Sequence, residues 1–207
     1  MDFKQVINQL IPEPGYFLLL KSKVKGDGVS PVRKTDQKFL NCLKEKETAK
    51  KVYEVYVKSN NNAVSLLKEA EILSENGFYA RAIALAIISF EELGKSQIAA
   101  DFFSGILPED EYKKAFKSHK KTSYASRHMA IGSHEKVKHG FWVDDSIAAT
   151  LESIRQMAIY VDENNDPLDT FTKQDAKLII QKIRKHIEYI EVAEQMHGRI
   201  GSKALFK

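Results

Sequence analysis

Apolar residues recur at steps of three and four along most of the chain, which is the spacing of one buried face of an α-helix. Stretches of alternating apolar and polar residues, which would indicate strands, are scarce. The predicted helices cover about residues 1–11, 35–56, 63–75, 78–103, 109–129, 144–161 and 172–197, and the asparagines 60–62 mark either a break or one polar face. The sequence therefore predicts an all-α protein, a single domain over residues 1–207 with a helical bundle of five or six helices from residue 35.

The helix predicted for residues 78–103 differs from the others. Its segment 82–90, AIALAIISF, is apolar on every side rather than on one stripe. A helix without a polar face is usually surrounded by other helices. We therefore expect this helix to lie at the centre of the bundle, with Asn76-Gly77 ending the helix before it.

Composition places few limits on the class of protein and its cellular location. Of 207 residues, 43% are hydrophobic, and the formal net charge is +4. The single cysteine, Cys42, excludes an intramolecular disulfide, and the apolar run 82–90 is too short for a membrane span, which needs about 20 residues. The N-terminus lacks the pattern of a secretory signal. We expect a cytoplasmic protein that does not associate with membranes.

Residues 1–34 are predicted to form a basic N-terminal arm beyond the short first helix. Gly15, Gly26, Gly28 and Pro31 disfavour regular structure there. Within its stretch 15–34 the only acid is Asp27, and the basic residues are Lys21, Lys23, Lys25, Arg33 and Lys34. The arm is either a solvated loop or a segment that contacts phosphates.

The stretch SFEELGKS, residues 89–96, ends like a nucleotide-binding P-loop but is not one. Ser89 stands where the first glycine of that motif is required, and a helix precedes it instead of a strand. Its charged residues are Glu91, Glu92 and Lys95, whose spacing of three and four allows ion pairs. Arg81 lies about three turns earlier on the side of Glu92. The group is either an ion pair at the rim of the core or a polar pocket with a working carboxylate.

The segment 112–140 is strongly basic. It holds eight lysines and arginines against one acid, Glu135, together with interleaved aromatic residues. Four of the six histidines of the chain are also here, namely His119, His128, His134 and His139. Such a segment suits a polyanion such as RNA, although a solvated basic face has the same composition. No histidine spacing typical of a zinc site is present, so no metal or other cofactor is expected.

Three blocks of the sequence resemble the AbiV-type abortive-infection family. They are LLKEAEILSENGFYARAIALAIISFEELGK at 66–95, FKSHKK at 116–121 and RQMAIYVD at 155–162. The resemblance implies a bacterial antiphage protein with the helical architecture of the HEPN group. Many HEPN proteins are metal-independent ribonucleases and commonly form homodimers. Their signature, an arginine followed by a histidine after four to six residues, has one match here, Arg127 and His134.

The resemblance implies a candidate ribonuclease site. His119 or His134 would take the proton of a 2′-hydroxyl group, and Glu91 or Glu92 would orient the histidine. The phosphate would be held by Arg127, Lys95, Lys120 and Lys121, with further RNA contacts from Arg81, Lys117 and Arg155. Expected partners are RNA, a second copy of the chain and a phage-encoded protein, with no DNA. The rival interpretation is a non-enzymatic module that binds a phage protein or the translation machinery.

Overall fold

The computed structural model describes residues 3–11, 46–103, 107–118, 121–122, 125 and 145–197. The helices delimited in these residues are α1 (Phe3–Leu10), α2 (Lys46–Glu75), α3 (Tyr79–Phe103), α4 (Glu109–Lys117), α5 (Asp145–Ile159), α6 (Pro167–Thr170) and α7 (Lys173–His197). The described ranges contain no strand, only one isolated bridge between Asp162 and Asn165. The all-α prediction is confirmed.

Local signals in the sequence explain where several helices begin and end. Gly77 adopts the left-handed φ of +87°, and the Phe78 amide donates to the Leu73 carbonyl at 2.9 Å, which closes α2. At the start of α7, Thr172 and Asp175 cap each other: Asp175 accepts from the Thr172 amide at 2.9 Å, and the Asp175 amide donates to the Thr172 hydroxyl at 3.3 Å.

Two features differ from simple expectation. The asparagines 60–62 do not interrupt the helix, because α2 continues through them to Glu75. The helix predicted for 109–129 is wrong in its length: α4 ends at Lys117, and Ser118 is extended, with φ −79° and ψ 150°. Residues 121, 122 and 125 are again helical. The predicted helix is therefore interrupted at Ser118.

The predicted central helix is at the centre. α3 contacts α2, α4, α5, α6 and α7. The larger of two apolar clusters surrounds its first half, where Ile83, Ile87 and Phe90 are fully buried against α2, α5 and α7. A smaller cluster joins its last turns to α2 and α4, with Phe102 stacked on Tyr112 at 4.5 Å between ring centroids. Desolvation of this apolar surface is the main stabilising contribution to the bundle.

The N-terminal helix is fixed to the bundle at both ends. Phe3 packs edge-on against Phe171, with ring centroids 5.7 Å apart. At the other end, the buried ammonium group of Lys182 on α7 donates to the Ile11 carbonyl at 2.7 Å. The predicted arm 15–34, the start of the bundle at 35–45 and the segment 126–144 lie outside the described residues. That residues 1–207 form one domain stays a prediction.

Candidate functional site

The charged end of SFEELGKS lies on the second half of α3, directly after its most apolar turns. The Glu92 and Lys95 side chains are 13% and 27% exposed and form an ion pair within the helix. The Glu91 side chain is also 13% exposed. Of the two pairings that the spacing allows, Lys95 takes the one at three residues, which leaves Glu91 directed towards a different helix.

That helix is α5, and the side chain is Arg155. The Arg155 Nε lies 3.7 Å from Glu91 Oε1, and the Arg155 guanidinium also binds Glu152 through contacts of 2.6–2.9 Å. Gln156 donates to the same Glu152 carboxylate at 2.6 Å. The hydrogen bond to Glu152 raises the pKa of Arg155 most, with help from the nearby Glu91, while burial opposes the rise. Arg155 is thus held between two carboxylates from two helices.

Gly94 permits a third segment to reach the same place. A Cβ atom built on Gly94 would lie 1.8 Å from the Lys121 carbonyl oxygen and 2.5 Å from its carbonyl carbon. No other residue type can occupy this helical position without moving the backbone at Lys121. A glycine inside a helix costs about 1 kcal/mol of stability relative to alanine. The close packing of the Lys121 backbone against α3 offsets this cost.

Lys121 is the most buried cation of the group. It is only 9% exposed. Its pKa is lowered, first by burial and then by the positive charge of Lys95. The negative charges of Glu91 and Glu92 raise the pKa, but they do not cancel this lowering. It is a nearly buried cation between two acids and two other cations.

These contacts define what we call the charge cluster, which gathers six side chains from α3, α5 and the Lys121 segment. Its members are Glu91, Glu92, Lys95, Lys121, Glu152 and Arg155. Three cations face three carboxylates, so the formal charge of the cluster is zero. Lysine and arginine are suited to hold a phosphate group, and a half-buried carboxylate can orient a histidine or accept a proton.

The other predicted site residues are either distant or outside the described residues. Arg81 is exposed at the start of α3, where its guanidinium lies 5.8 Å from the centre of the Phe78 ring. Lys117 is exposed at the end of α4. The remaining candidates, His119, Lys120, Arg127 and His134, fall outside the described residues. Of the eleven predicted site residues, the structure brings together Glu91, Glu92, Lys95, Lys121 and Arg155.

Sequence reasoning missed Glu152, although a signal was present. Glu152 precedes Arg155 by three residues, a spacing that pairs opposite charges on one helix face. It also missed a row of buried polar side chains near the cluster. Gln97 and Asp101 are fully buried on α3, and Thr122 is 1% exposed beside Lys121. Gln97 Nε2 donates to the Ser96 hydroxyl at 3.0 Å, and that hydroxyl donates to the Leu93 carbonyl at 2.7 Å.

Two general searches of the described residues were negative. No group of three or more His, Cys, Asp and Glu side chains there is arranged to hold a metal ion. No helix among them is long and apolar enough to cross a membrane.

Comparison with known proteins identifies the family. Searches of curated proteins and of solved structures each found no match. A family model for HEPN proteins of the AbiV type matches residues 51–188, which is more than half of the chain. The match includes α3, Lys121 and α5, and therefore every residue of the charge cluster. The chain belongs to the AbiV family of HEPN proteins.

Proposed function

We propose that this protein is a cytoplasmic antiphage abortive-infection protein that acts on RNA as a metal-independent ribonuclease. The observation that supports the proposal best is the charge cluster. Removing most of the surface of six charged side chains from solvent, directly after the most apolar turns of α3, costs folding free energy unless they are mutually paired. Such costs are commonly retained where the charges serve a reaction or a ligand. Membership of the AbiV family supports the defence role.

The proposed reaction needs a base, an acid and stabilisation of the phosphate. A histidine, His119 or His134, takes the proton of a 2′-hydroxyl group, and the oxygen attacks the adjacent phosphorus. The bond from phosphorus to the 5′-oxygen breaks, which leaves a 2′,3′-cyclic phosphate and a 5′-hydroxyl, whose proton comes from the histidine that was protonated in the first step. Lys121 and Arg127 stabilise the negative charge on the phosphate oxygens. Glu91 or Glu92 orients the histidine.

The test is cleavage of purified total RNA and transfer RNA by the full-length protein. Arg155→Met should lower cleavage at least tenfold, because it leaves Glu91 and Glu152 without their shared cation. His119→Ala and His134→Ala should separate the two candidate bases. Arg184→Met is the matched control, since Arg184 also forms an arginine–carboxylate pair, with Glu71 at 2.5 Å, on helices away from the cluster.

A wild-type protein that neither binds nor cleaves RNA, with and without phage components, would refute the ribonuclease proposal. A homodimer is part of the same proposal, because two basic segments could then flank one RNA. Light scattering at micromolar protein concentration checks the dimer independently of any activity.

One observation favours the second candidate, a non-enzymatic module that binds a phage protein or the translation machinery. Lys95 and Arg155 are already neutralised by carboxylates, so fewer charges are available to a phosphate than the sequence indicates. In that case phage protection survives Glu92→Ala, His119→Ala and His134→Ala, provided that the variants fold. Protection would instead depend on exposed apolar side chains.

A further inference from the structure

Exposed apolar side chains are concentrated where α5 ends and α6 begins. Seven large hydrophobic side chains of the described residues are exposed, and five of them lie between residues 157 and 168. The three most exposed are Tyr160 at 62%, Val161 at 73% and Leu168 at 76%. We call residues 157–170 the acidic knuckle. Scattered exposed apolar residues are ordinary, but five within residues 157–168 are a concentration of the kind found at interaction sites.

The acidic knuckle is held in one shape by a single buried side chain. Asn165, which is 8% exposed, donates through Nδ2 to the carbonyls of Met157 at 2.8 Å and Tyr160 at 2.9 Å. Its Oδ1 accepts from the Thr170 hydroxyl at 2.9 Å. The Asp162 amide donates to the Asn165 carbonyl at 3.0 Å. These bonds fix the chain on both sides of the turn, so a partner would not have to order it on binding.

The charge of this surface is one-sided. No lysine or arginine occurs between residues 156 and 172. The same stretch carries four exposed carboxylates, Asp162, Glu163, Asp166 and Asp169. Carboxylates repel the phosphates of a nucleic acid and attract lysine and arginine, and they raise the association rate of a cationic partner. The exposed Tyr160 is of a residue type that often carries binding energy at protein interfaces, and the exposed Leu168 adds apolar contact area.

We propose that the acidic knuckle docks a basic segment of a partner protein. Apolar side chains of that segment cover Tyr160, Val161 and Leu168, and its lysines or arginines face the surrounding carboxylates. The surface also adjoins the charge cluster, since it begins at Met157, two residues after Arg155 on α5. A docked partner therefore sits beside the charge cluster. The proposal does not depend on ribonuclease activity, because the surface and its charge are independent of any reaction.

The experiment is a selection of 12-residue peptides from a displayed random library against the full-length protein, with removal of those that bind a Val161→Ser/Leu168→Ser variant. Enriched peptides should combine lysine or arginine with aromatic or aliphatic residues. Synthetic copies should bind the double variant at least tenfold more weakly than the wild type. Their affinity should also fall several-fold in Glu163→Gln/Asp169→Asn and on raising the salt concentration. Ile72→Ser, at a 58% exposed residue of α2, should leave the affinity unchanged.

Each other outcome overturns the proposal. Enriched peptides without a basic preference, or binding that Glu163→Gln/Asp169→Asn retains in full, would remove the charge argument. If sedimentation shows that the wild type self-associates and the double variant is monomeric, the acidic knuckle binds a second copy of this chain instead. Loss of RNA binding in the double variant would make it a nucleic-acid surface. If the double variant does not melt cooperatively, the test uses Glu163→Gln/Asp169→Asn, which changes only exposed side chains. Peptide binding that this variant retains in full then overturns the proposal.

Discussion

The two halves of α3 are buried to a similar extent, yet they carry different chemistry. In the first half, aliphatic side chains such as Ile83 and Ile87 are enclosed by three other helices. In the second half, Glu91, Glu92 and Lys95 are largely buried, and Gln97 and Asp101 are fully buried. Apolar burial stabilises a fold directly, whereas buried polar groups must find partners before they stop destabilising it.

The comparison separates two uses of one helix. At its aliphatic positions the first half needs volume and shape, and apolar side chains of the right size serve it. The second half needs specific partners, because Glu91 is compensated by Arg155 on α5 and Lys121 is admitted only by the missing side chain of Gly94. We therefore expect substitutions in the first half to change stability, and substitutions in the second half to change the arrangement of the charge cluster as well.

The largest effect is expected for Ile87→Ala in the first half. The Ile87 side chain is fully buried, and truncation leaves a cavity that neighbouring helices fill only in part. Similar truncations cost about 2–5 kcal/mol. Denaturant unfolding followed by circular dichroism measures this loss. The folded fraction of the variant should keep the RNA affinity of the wild type, if it has any. A loss below about 1 kcal/mol would contradict the role assigned to the first half.

Gly94→Ala tests the second half and should have an intermediate effect. The new methyl group would meet the Lys121 carbonyl at 1.8 Å, so the backbone of one segment must move. Overpacking of this kind costs about 1–3 kcal/mol, and the better helix propensity of alanine offsets about 1 kcal/mol of it. The same denaturant titration measures the free energy of unfolding.

Gly77→Ala is the control for Gly94→Ala. It strains a left-handed turn, but its Cβ would meet no atom within 4 Å. Both variants should lose stability, yet only Gly94→Ala should shift the amide resonances of Lys121 and its neighbours. If the two variants shift the same resonances, the close approach at Gly94 has no special role in the charge cluster.

The two halves of α3 also differ in how much of their structure could be predicted from the sequence. The apolar run 82–90 is enough to place α3 in the centre, since a helix without a polar side has nowhere else to go. The ending of α4 at Lys117 could not be predicted, because residues 112–122 contain no glycine or proline and favour a helix locally. The contact of Glu91 with Arg155 depends on how α3 packs against α5, which no local spacing records.

The smallest effect, and the one specific to charge, is expected for Lys121→Met. In the folded protein the pKa of Lys121 is lowered from 10.5 by burial and by the charge of Lys95. Between that lowered value and 10.5, the unfolded chain binds more protons than the folded one, so wild-type stability rises with pH. Below this window the penalty of the buried charge is fully present, and above it the penalty is absent.

Methionine keeps much of the length of lysine but binds no proton, so Lys121→Met should lack this component. The free energy of unfolding of the variant should therefore compare best with that of the wild type at neutral pH. This difference in stability should shrink as the pH approaches 10.5. Unfolding free energies at pH 7 and pH 10 measure the difference, with Lys113→Met, at an exposed lysine of α4, correcting for the loss of one positive charge. A relative advantage that grows with pH would mean that the attraction of Glu91 and Glu92 outweighs burial, and that Lys121 is an ordinary member of an ion-pair network.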